Sequence, residues 1–209
     1  MTTPNQILDE VVSSVTPLFA TSGYKKSARA FVALEGGVAR VVQLQTSQLK
    51  KPEEAKFTLN VLVASVAFQE AYAGKPFPKN PASAEAVVQA PIGRLLPDGE
   101  HIWWSLKPGV SSTLIAKELE ALVRDPVLPF LARFPSEAAL LRELESGAVL
   151  PGFGAMRERC RAVLLAKGGR KAEAGKALAA LIEANSADGL QGFRDSVVEL
   201  GQRLGVSVL

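Results

Sequence analysis

The sequence predicts an α+β fold with an N-terminal helix, a four-stranded, mainly antiparallel sheet and a helical C-terminal half. Helical spacing of apolar residues opens the chain, period-two alternation follows as far as residue 106, and helical spacing returns from residue 110 onward. Strands that precede a run of helices are typical of α+β proteins. The first three strands have short connections, which favours antiparallel pairing because parallel strands require long crossovers.

The first helix is predicted to begin at Thr3, whose hydroxyl can cap the helix while Gln6 completes a capping box. Pro4 suits the first helical position, and Gly23 marks the end of the helix. The apolar residues of this helix follow a spacing of three and four: Ile7, Leu8, Val11, Val12, Val15, Leu18 and Phe19. This spacing gives the helix one apolar face for the core.

Two strands are predicted on either side of Glu35-Gly36-Gly37, a sequence typical of a tight hairpin turn. A third strand over residues 56–66 follows the charged sequence LKKPEEAK, which is predicted to be a loop. In this strand Phe57 and Leu59 alternate with Thr58 and Asn60. The alternation predicts one apolar and one polar face for the sheet.

The segment after the third strand is rich in proline between residues 74 and 91. It is predicted to be mostly loop, with a short helix over residues 83–90. The fourth predicted strand is EHIWWSL, residues 100–106. Ile102, Trp104 and Leu106 share one face of this strand, and Trp104 is predicted to lie in the core.

The C-terminal half contains successive amphipathic helical patterns. Cys160 lies at a core-facing position of one of them and is predicted to be a small buried hydrophobe. We therefore expect an α+β domain over residues 1–135 and a helical extension over residues 136–209 that packs on it.

Composition excludes several kinds of site. The 209 residues are 47% hydrophobic and 22% charged, with a net charge of +3, which is typical of a globular chain. A single cysteine cannot form an internal disulfide, and a single histidine cannot build a Cys/His zinc site. There is no acidic loop of the EF-hand kind. Neither a metal nor a cofactor is therefore expected.

The N-terminal sequence MTTPNQILDE lacks the basic region and the apolar run of a signal peptide. No stretch reaches the roughly 18 uninterrupted apolar residues of a membrane helix. A soluble, cytoplasmic protein without membrane association is therefore expected. The sequence does not indicate an oligomeric state.

Four sequence elements occur in order along the chain: GYKKSARAF at 23–31, VQLQTS at 42–47, FTLNV at 57–61 and IGRLLPDGEHIWWSL at 92–106. Over residues 1–135 the chain therefore resembles the bacterial domain of unknown function 4304 family. The resemblance implies an α+β fold and no particular reaction, since that family has no agreed activity. Ala28 and Ala30 are smaller and less basic than the family pattern implies, which argues against a strongly cationic site there.

Residues 160–184 are similar to a helical hairpin of the tetratricopeptide type, with KGGRKAEAGKAL as the turn. Such repeats need several neighbours to build a core, and only one copy is present. This part of the chain is therefore interpreted as a helical cap.

The first candidate binding surface lies on the sheet, where polar and aromatic side chains share one face of three predicted strands: Gln43, Gln45, Thr58, Asn60, His101 and Trp103. Tryptophan is enriched at the contact hot spots of interfaces. These residues are therefore predicted to bind a partner. The alternative is a half-buried face that the C-terminal helices cover.

The second candidate surface is the basic segment 157–176. It contains seven basic residues against Glu158 and Glu173, an excess of five, whereas the whole chain has a net charge of only +3. Arg157, Arg159 and Arg161 are the predicted contacts with an acidic partner. No aromatic residue is interleaved for stacking on nucleic-acid bases, and a solvated helix face is the alternative interpretation.

No catalytic constellation is recognisable, because any triad would have to use His101 and no Gly-x-Ser-x-Gly sequence is present. The preferred prediction is a non-enzymatic binding protein with another protein as its partner. One alternative is a hydrolase-like enzyme with a pocket around His101, near Asn60 or Arg94. Another is weak nucleic-acid binding through residues 157–176, which the small net charge makes less favoured.

Overall fold

The computed structural model describes residues 3–47, 55–147, 150–187 and 189–208. Most of the predicted loop LKKPEEAK lies outside the described residues. The strands are β1 (Lys25–Ser27), β2 (Ala30–Glu35), β3 (Val38–Thr46), β4 (Ala55–Ser65), β5 (Val88–Pro91) and β6 (Trp104–Leu106). The helices are α1 (Pro4–Thr21), α2 (Val66–Ala73), α3 (Ser112–Leu122), α4 (Leu128–Leu131), α5 (Glu137–Glu145), α6 (Arg157–Lys167), α7 (Lys171–Glu183) and α8 (Gln191–Leu204).

The strands form one antiparallel six-stranded sheet in the order β1-β2-β3-β4-β5, and β6 also pairs with β4. Strand β4 pairs with β3 along one edge. Along its other edge β4 pairs with β6 at residues 55–57 and with β5 at residues 60–63, so these two short strands lie end to end. The predicted α+β class and the antiparallel pairing are confirmed.

The sheet has six strands where the sequence predicts four. Strand β1 has three residues and β5 has four, which is too short for alternation to show in the sequence. Strand β5 also lies in the proline-rich segment, where Pro91 is accommodated at the end of the strand. The helix predicted over residues 83–90 is wrong, because a 3₁₀ turn at Pro81–Ser83 and the first part of β5 occupy this stretch.

The predicted start of α1 is confirmed. The Gln6 N–H donates to the Thr3 hydroxyl at 3.3 Å, and the Thr3 N–H donates to Gln6 Oε1 at 2.7 Å. The predicted hairpin is also present, with Gly36 and Gly37 at φ angles of 55° and 77° between β2 and β3. Both angles lie in the left-handed region, which glycine adopts without strain.

The fourth predicted strand is shorter than the sequence suggests, because β6 begins only at Trp104 and His101 to Trp103 precede it. Trp104 is 6% exposed, and its ring stacks on Phe57 with the centroids 5.0 Å apart. The predicted core position of Trp104 is therefore confirmed.

The core lies on one face of the sheet, here termed the helix face. Buried residues of the helices and the apolar row of β4 form a single cluster there, including Phe19 of α1, Phe68 of α2, Leu59 of β4 and Cys160 of α6. The C-terminal helices therefore pack on the side of the apolar row, not on the polar row as the covered-face alternative expects.

On the opposite face a loop, residues 74–87, takes the place of a second helical layer. This loop, termed the strap, packs Phe77, Ala82, Ala84 and Ala86 on the sheet residues Ala30, Val32, Ala39, Val41, Leu62 and Ala64. The strap covers only the apolar half of the opposite face. The polar half begins one pleat further along β3 and β4, at Gln43 and Asn60.

Helices α6 and α7 form a hairpin across a short turn at residues 168–170. Cys160 in α6 is completely buried, as predicted, and burial raises the pKa of its thiol well above the usual value. Among the helices of the described residues, none is long and apolar enough to cross a membrane.

Candidate functional site

The polar half of the opposite face is built by strand register. Gln43 on β3 lies opposite Asn60 on β4, and Gln45 lies opposite Thr58. Gln89 on β5 lies opposite Leu62 and therefore shares this face. We term these five residues the amide face: Gln43, Gln45, Thr58, Asn60 and Gln89. The sequence predicts four of them together, and the structure confirms that these four lie on one face.

One hydrogen bond joins two members of the amide face, in which the Asn60 side-chain amide donates to Gln45 Oε1 at 2.6 Å. Thr58 and Asn60 are buried, whereas Gln43 is half-buried and Gln45 and Gln89 are exposed. In the part of the chain that the structure describes, the side chains of Gln43 and Gln89 make no hydrogen bond.

A cleft of about 350 Å³ adjoins the amide face, lined by Asn60, Ala86, Val87, Gln89, Pro91, Gly152, Gly154, Ala155 and Met156. One wall is the segment ahead of α6, which the Gln89 N–H holds by donating to the Gly152 carbonyl at 2.9 Å. Gly152 has a φ of +83°, and a Cβ there would lie 2.9 Å from the Cβ of Ala90. Only glycine therefore lets this wall approach β5 so closely.

The sequence patterns do not predict the cleft. Gln89 lies in a segment predicted to be loop or helix, and the Gly152–Met156 wall shows no strand-like alternation. The pairing of this wall with β5 includes a bridge between Val88 and Phe153 that joins residues far apart in sequence. The glycines of PGFGAM are the only sequence signal for such a close backbone approach.

Trp103 immediately precedes β6, in which Trp104 pairs with Phe57. The observed pairing ends there, so Trp103 lies just beyond the end of the ladder between β4 and β6. Its side chain is 43% exposed although its neighbour Trp104 is buried. Tryptophan is enriched at the contact hot spots of interfaces.

His101 is exposed, and within the described residues its ring makes no hydrogen bond or ion pair, to Asn60, Arg94 or any other side chain. The nearby backbone is tightly packed, because a Cβ on Gly93 would collide with the Glu100 carbonyl. The described residues contain no group of three or more His, Cys, Asp and Glu that could hold a metal ion. Within the described residues, the His101 ring is therefore not oriented by a hydrogen-bonding partner.

The basic segment is largely paired within the protein. Arg157 donates to the Leu144 carbonyl at 3.2 Å, and Arg161 forms an ion pair with Glu158 at 2.8 Å. Lys167 and Arg170 pair with carboxylates of α5, Glu137 at 2.6 Å and Glu145 at 2.8 Å. When Glu137 and Glu145 are counted with Glu158 and Glu173, there are four acidic residues against seven basic ones. The local excess of positive charge therefore falls from five to three.

Arg159 lies in the protein interior, although the sequence groups it with the surface residues Arg157 and Arg161. It is 5% exposed, and its guanidinium lies 5.6 Å from the Tyr72 ring centroid and 4.3 Å from that of Phe193. Its Nη2 donates to the Ser196 hydroxyl at 3.2 Å. The three arginines therefore do not form one surface.

Tyr24, in the Gly-Tyr-Lys-Lys element, is a buried titratable group at the end of α1. Burial raises its pKa from 10.0 to about 12, while the nearby positive charge of Arg40 partly opposes the increase. Its ring packs edge-on against Phe19 at 5.8 Å. The phenol is therefore held in its neutral form.

We expect stability to fall as the pH rises from 10 to 12. In this interval the unfolded chain loses the Tyr24 proton while the folded chain keeps it, so unfolding becomes more favourable by about 2–3 kcal/mol. Urea unfolding at pH 9, 11 and 12 measures this loss of stability. In Tyr24→Phe the loss over the same pH range should be smaller by about 2–3 kcal/mol, because no phenol titrates at position 24. An unchanged pH dependence in Tyr24→Phe would contradict this assignment.

The fold and the site together define an α+β protein with helices on one face of its sheet and an amide-rich surface on the other. The chain belongs to the domain of unknown function family DUF4304, whose sequence model matches residues 15–133. The match confirms the family resemblance; the similarity to a tetratricopeptide hairpin stays a prediction. The chain matches no curated protein and no solved structure at a significant level.

The region that the family model matches contains only part of the site. Gln43, Gln45, Asn60 and Gln89 lie inside the matched region, whereas the wall over residues 152–156 lies outside it. The amide face is thus part of the family domain, and the C-terminal part of this chain completes the cleft.

Proposed function

We propose that the protein is a non-enzymatic binding protein that holds a segment of another protein at the amide face, the adjoining cleft and Trp103. The observation that carries the proposal is the exposure of the amide face: the strap packs on the apolar half of the opposite face, whereas Gln45 and Gln89 are exposed. In the described part of the chain, the side-chain amides of Gln43 and Gln89 make no hydrogen bond within the protein.

Trp103 supports the proposal because it is an exposed apolar side chain directly before β6, and β6 pairs with the strand that carries Thr58 and Asn60. His101, two residues earlier, is also exposed and can contact the same partner. Arg157, Arg159 and Arg161 are not included, because their guanidinium groups already contact the protein itself. The proposed surface therefore consists of the sheet residues and the cleft.

Site-specific photocrosslinking tests the proposal. A benzoylphenylalanine at position 43 should give a discrete adduct with the partner in an extract of the source cells, and the same group at Gln202 on α8 should not. Trp103→Ala should weaken the adduct about tenfold or more, as expected for a hot-spot tryptophan. Leu114→Ala, which removes an exposed apolar side chain on α3, is the matched control.

Equal adducts from positions 43 and 202 would contradict the proposal, since Gln202 is exposed on another part of the molecule. An adduct from position 43 that Trp103→Ala leaves unchanged would also contradict it. Far-ultraviolet circular dichroism of each variant checks that the fold is intact.

A further inference from the structure

We infer that residues 206–208 form a detachable latch across α7 and α8, and that two glycines inside these helices form the groove that receives it. The latch is the segment that follows Gly205, where α8 ends. Val208 is 8% exposed and Val206 is half-buried, and both valines pack on the core cluster. The inference goes beyond the proposed binding surface and does not depend on it.

The end of α8 turns the latch back onto its own helix. Gly205 has a φ of +62°, which glycine adopts without strain. Its N–H donates to the Gln202 carbonyl at 3.1 Å, and the Val206 N–H donates to the Gly201 carbonyl at 3.0 Å. These two hydrogen bonds form a Schellman motif, which ends the helix and sets the direction in which the chain leaves it. The latch therefore lies beside Gly201 instead of leading away from α8.

Gly175 of α7 and Gly201 of α8 leave room for the latch. Neither glycine has a positive φ, so the helical backbone itself does not require glycine at either position. Glycine also makes a helix less stable than alanine does. A Cβ on Gly175 would collide with the Ser207 carbonyl oxygen, and a Cβ on Gly201 would collide with Cγ2 of Val208. The two glycines therefore accommodate the main chain and one side chain of the latch.

The latch is small compared with the core cluster on which it packs. It contributes one buried and one half-buried valine, whereas the sheet and the helices supply the large buried side chains. A segment that takes few apolar side chains with it opens at a lower free energy than the whole protein unfolds. Opening would uncover the groove between Gly175 and Gly201, beside which Leu178 is buried. We expect the latch to open while the sheet and the other helices stay folded.

Gly175→Ala tests the groove, because its effect should change sign when the latch is detached. In the full-length protein the added methyl group collides with Ser207 and should lower the Tm by about 4 °C or more. In a Val208→Asp background, a charge keeps the latch out of the apolar groove. There the same change should raise the Tm by about 2–4 °C, the gain of alanine over glycine inside a helix. Thermal unfolding followed by circular dichroism measures the four proteins.

Gly192→Ala is the matched control for this experiment. Gly192 also lies in α8, but it is exposed, and a Cβ there would meet no atom within 4 Å. This substitution should change the Tm by the same amount with and without Val208→Asp. If Gly175→Ala lowers the Tm in both backgrounds, or raises it in both, the groove does not exist to receive the latch and the inference is overturned.

Amide hydrogen exchange tests the opening of the latch in the unmodified protein. The Val206 N–H should exchange at least tenfold faster than the N–H of Val197 in the same helix, at a rate that low urea concentrations leave unchanged. Gly175→Ala should accelerate the exchange of Val206 about tenfold further, whereas Gly192→Ala should not. If Val206 exchanges only together with the amides of β4, the latch does not open by itself, and this result also overturns the inference.

Discussion

Arg159→Glu is expected to destabilise the protein by about 3–5 kcal/mol, the usual cost of leaving a buried charge without a partner. The guanidinium of Arg159 lies between the rings of Tyr72 and Phe193, whose negative faces attract a cation and repel a carboxylate. The new carboxylate would be as buried as the arginine, which is only 5% exposed. Urea unfolding followed by circular dichroism measures the change.

Arg159→Met is the informative companion of this substitution. Methionine fills a similar volume and contacts both rings without a buried charge, so its stability should lie within about 1 kcal/mol of the original. Arg161→Glu is the matched control in the same helix, because Arg161 is partly exposed and its ion pair with Glu158 lies at the surface. A loss in Arg159→Met as large as that in Arg159→Glu would show that the guanidinium has an essential specific role.

Glu137→Ala is expected to destabilise the protein by about 3 kcal/mol, the combined effect of a lost cap and lost hydrogen bonds to a charged group. Glu137 Oε1 accepts from the Ser65 hydroxyl at 2.7 Å and from the Ala67 N–H at 2.8 Å, at the start of α2. Its Oε2 pairs with Lys167 of α6 at 2.6 Å. One carboxylate therefore joins α5 to the sheet, to α2 and to α6.

Glu143→Ala provides the control for this prediction. Glu143 lies in the same helix and accepts two hydrogen bonds from Arg133, but both side chains are partly exposed, so the loss should stay near 1 kcal/mol or below. Chemical unfolding of both variants under identical conditions compares them. Equal losses would contradict a special role for Glu137.

The contacts of Glu137 also bear on the organisation of the chain. The sequence predicts a domain over residues 1–135 and a helical extension over residues 136–209 that packs on it, and the family match ends at residue 133. Glu137 nevertheless caps a helix of the first part, and residues of both parts belong to one core cluster. We expect the full chain to unfold in a single cooperative transition rather than in two steps.

Much of the fold could be predicted from the sequence, because several of its signals are local. The Thr3 and Gln6 capping box, the Gly36-Gly37 turn and the alternation along β4 depend on neighbouring residues only. The apolar partners of Trp104 and Cys160 lie elsewhere in the chain, yet hydrophobicity and periodicity alone predict their burial. Local sequence patterns therefore predict the apolar row on the helix face of the sheet and four of the five residues of the amide face.

The features that the sequence does not predict depend on contacts between distant segments. Strand β5 exists because β4 offers an edge, and its own four residues show no period. In the sequence, Arg159 cannot be distinguished from an exposed arginine of a helix. In the fold, Tyr72 of α2 and Phe193 of α8 enclose its guanidinium group. The Gly152 wall of the cleft likewise takes its position from β5. Each of these requires the tertiary structure.

The strap has a consequence for the behaviour of the protein at high concentration. The apolar half of the opposite face would otherwise be an exposed sheet surface on which a second copy could stack and begin to aggregate. Pro76, Pro78 and Pro81 in the strap lack the N–H groups that a strand needs, so the strap itself does not extend into a new sheet. Mutations that detach the strap should therefore promote aggregation, even where the helix face stays folded.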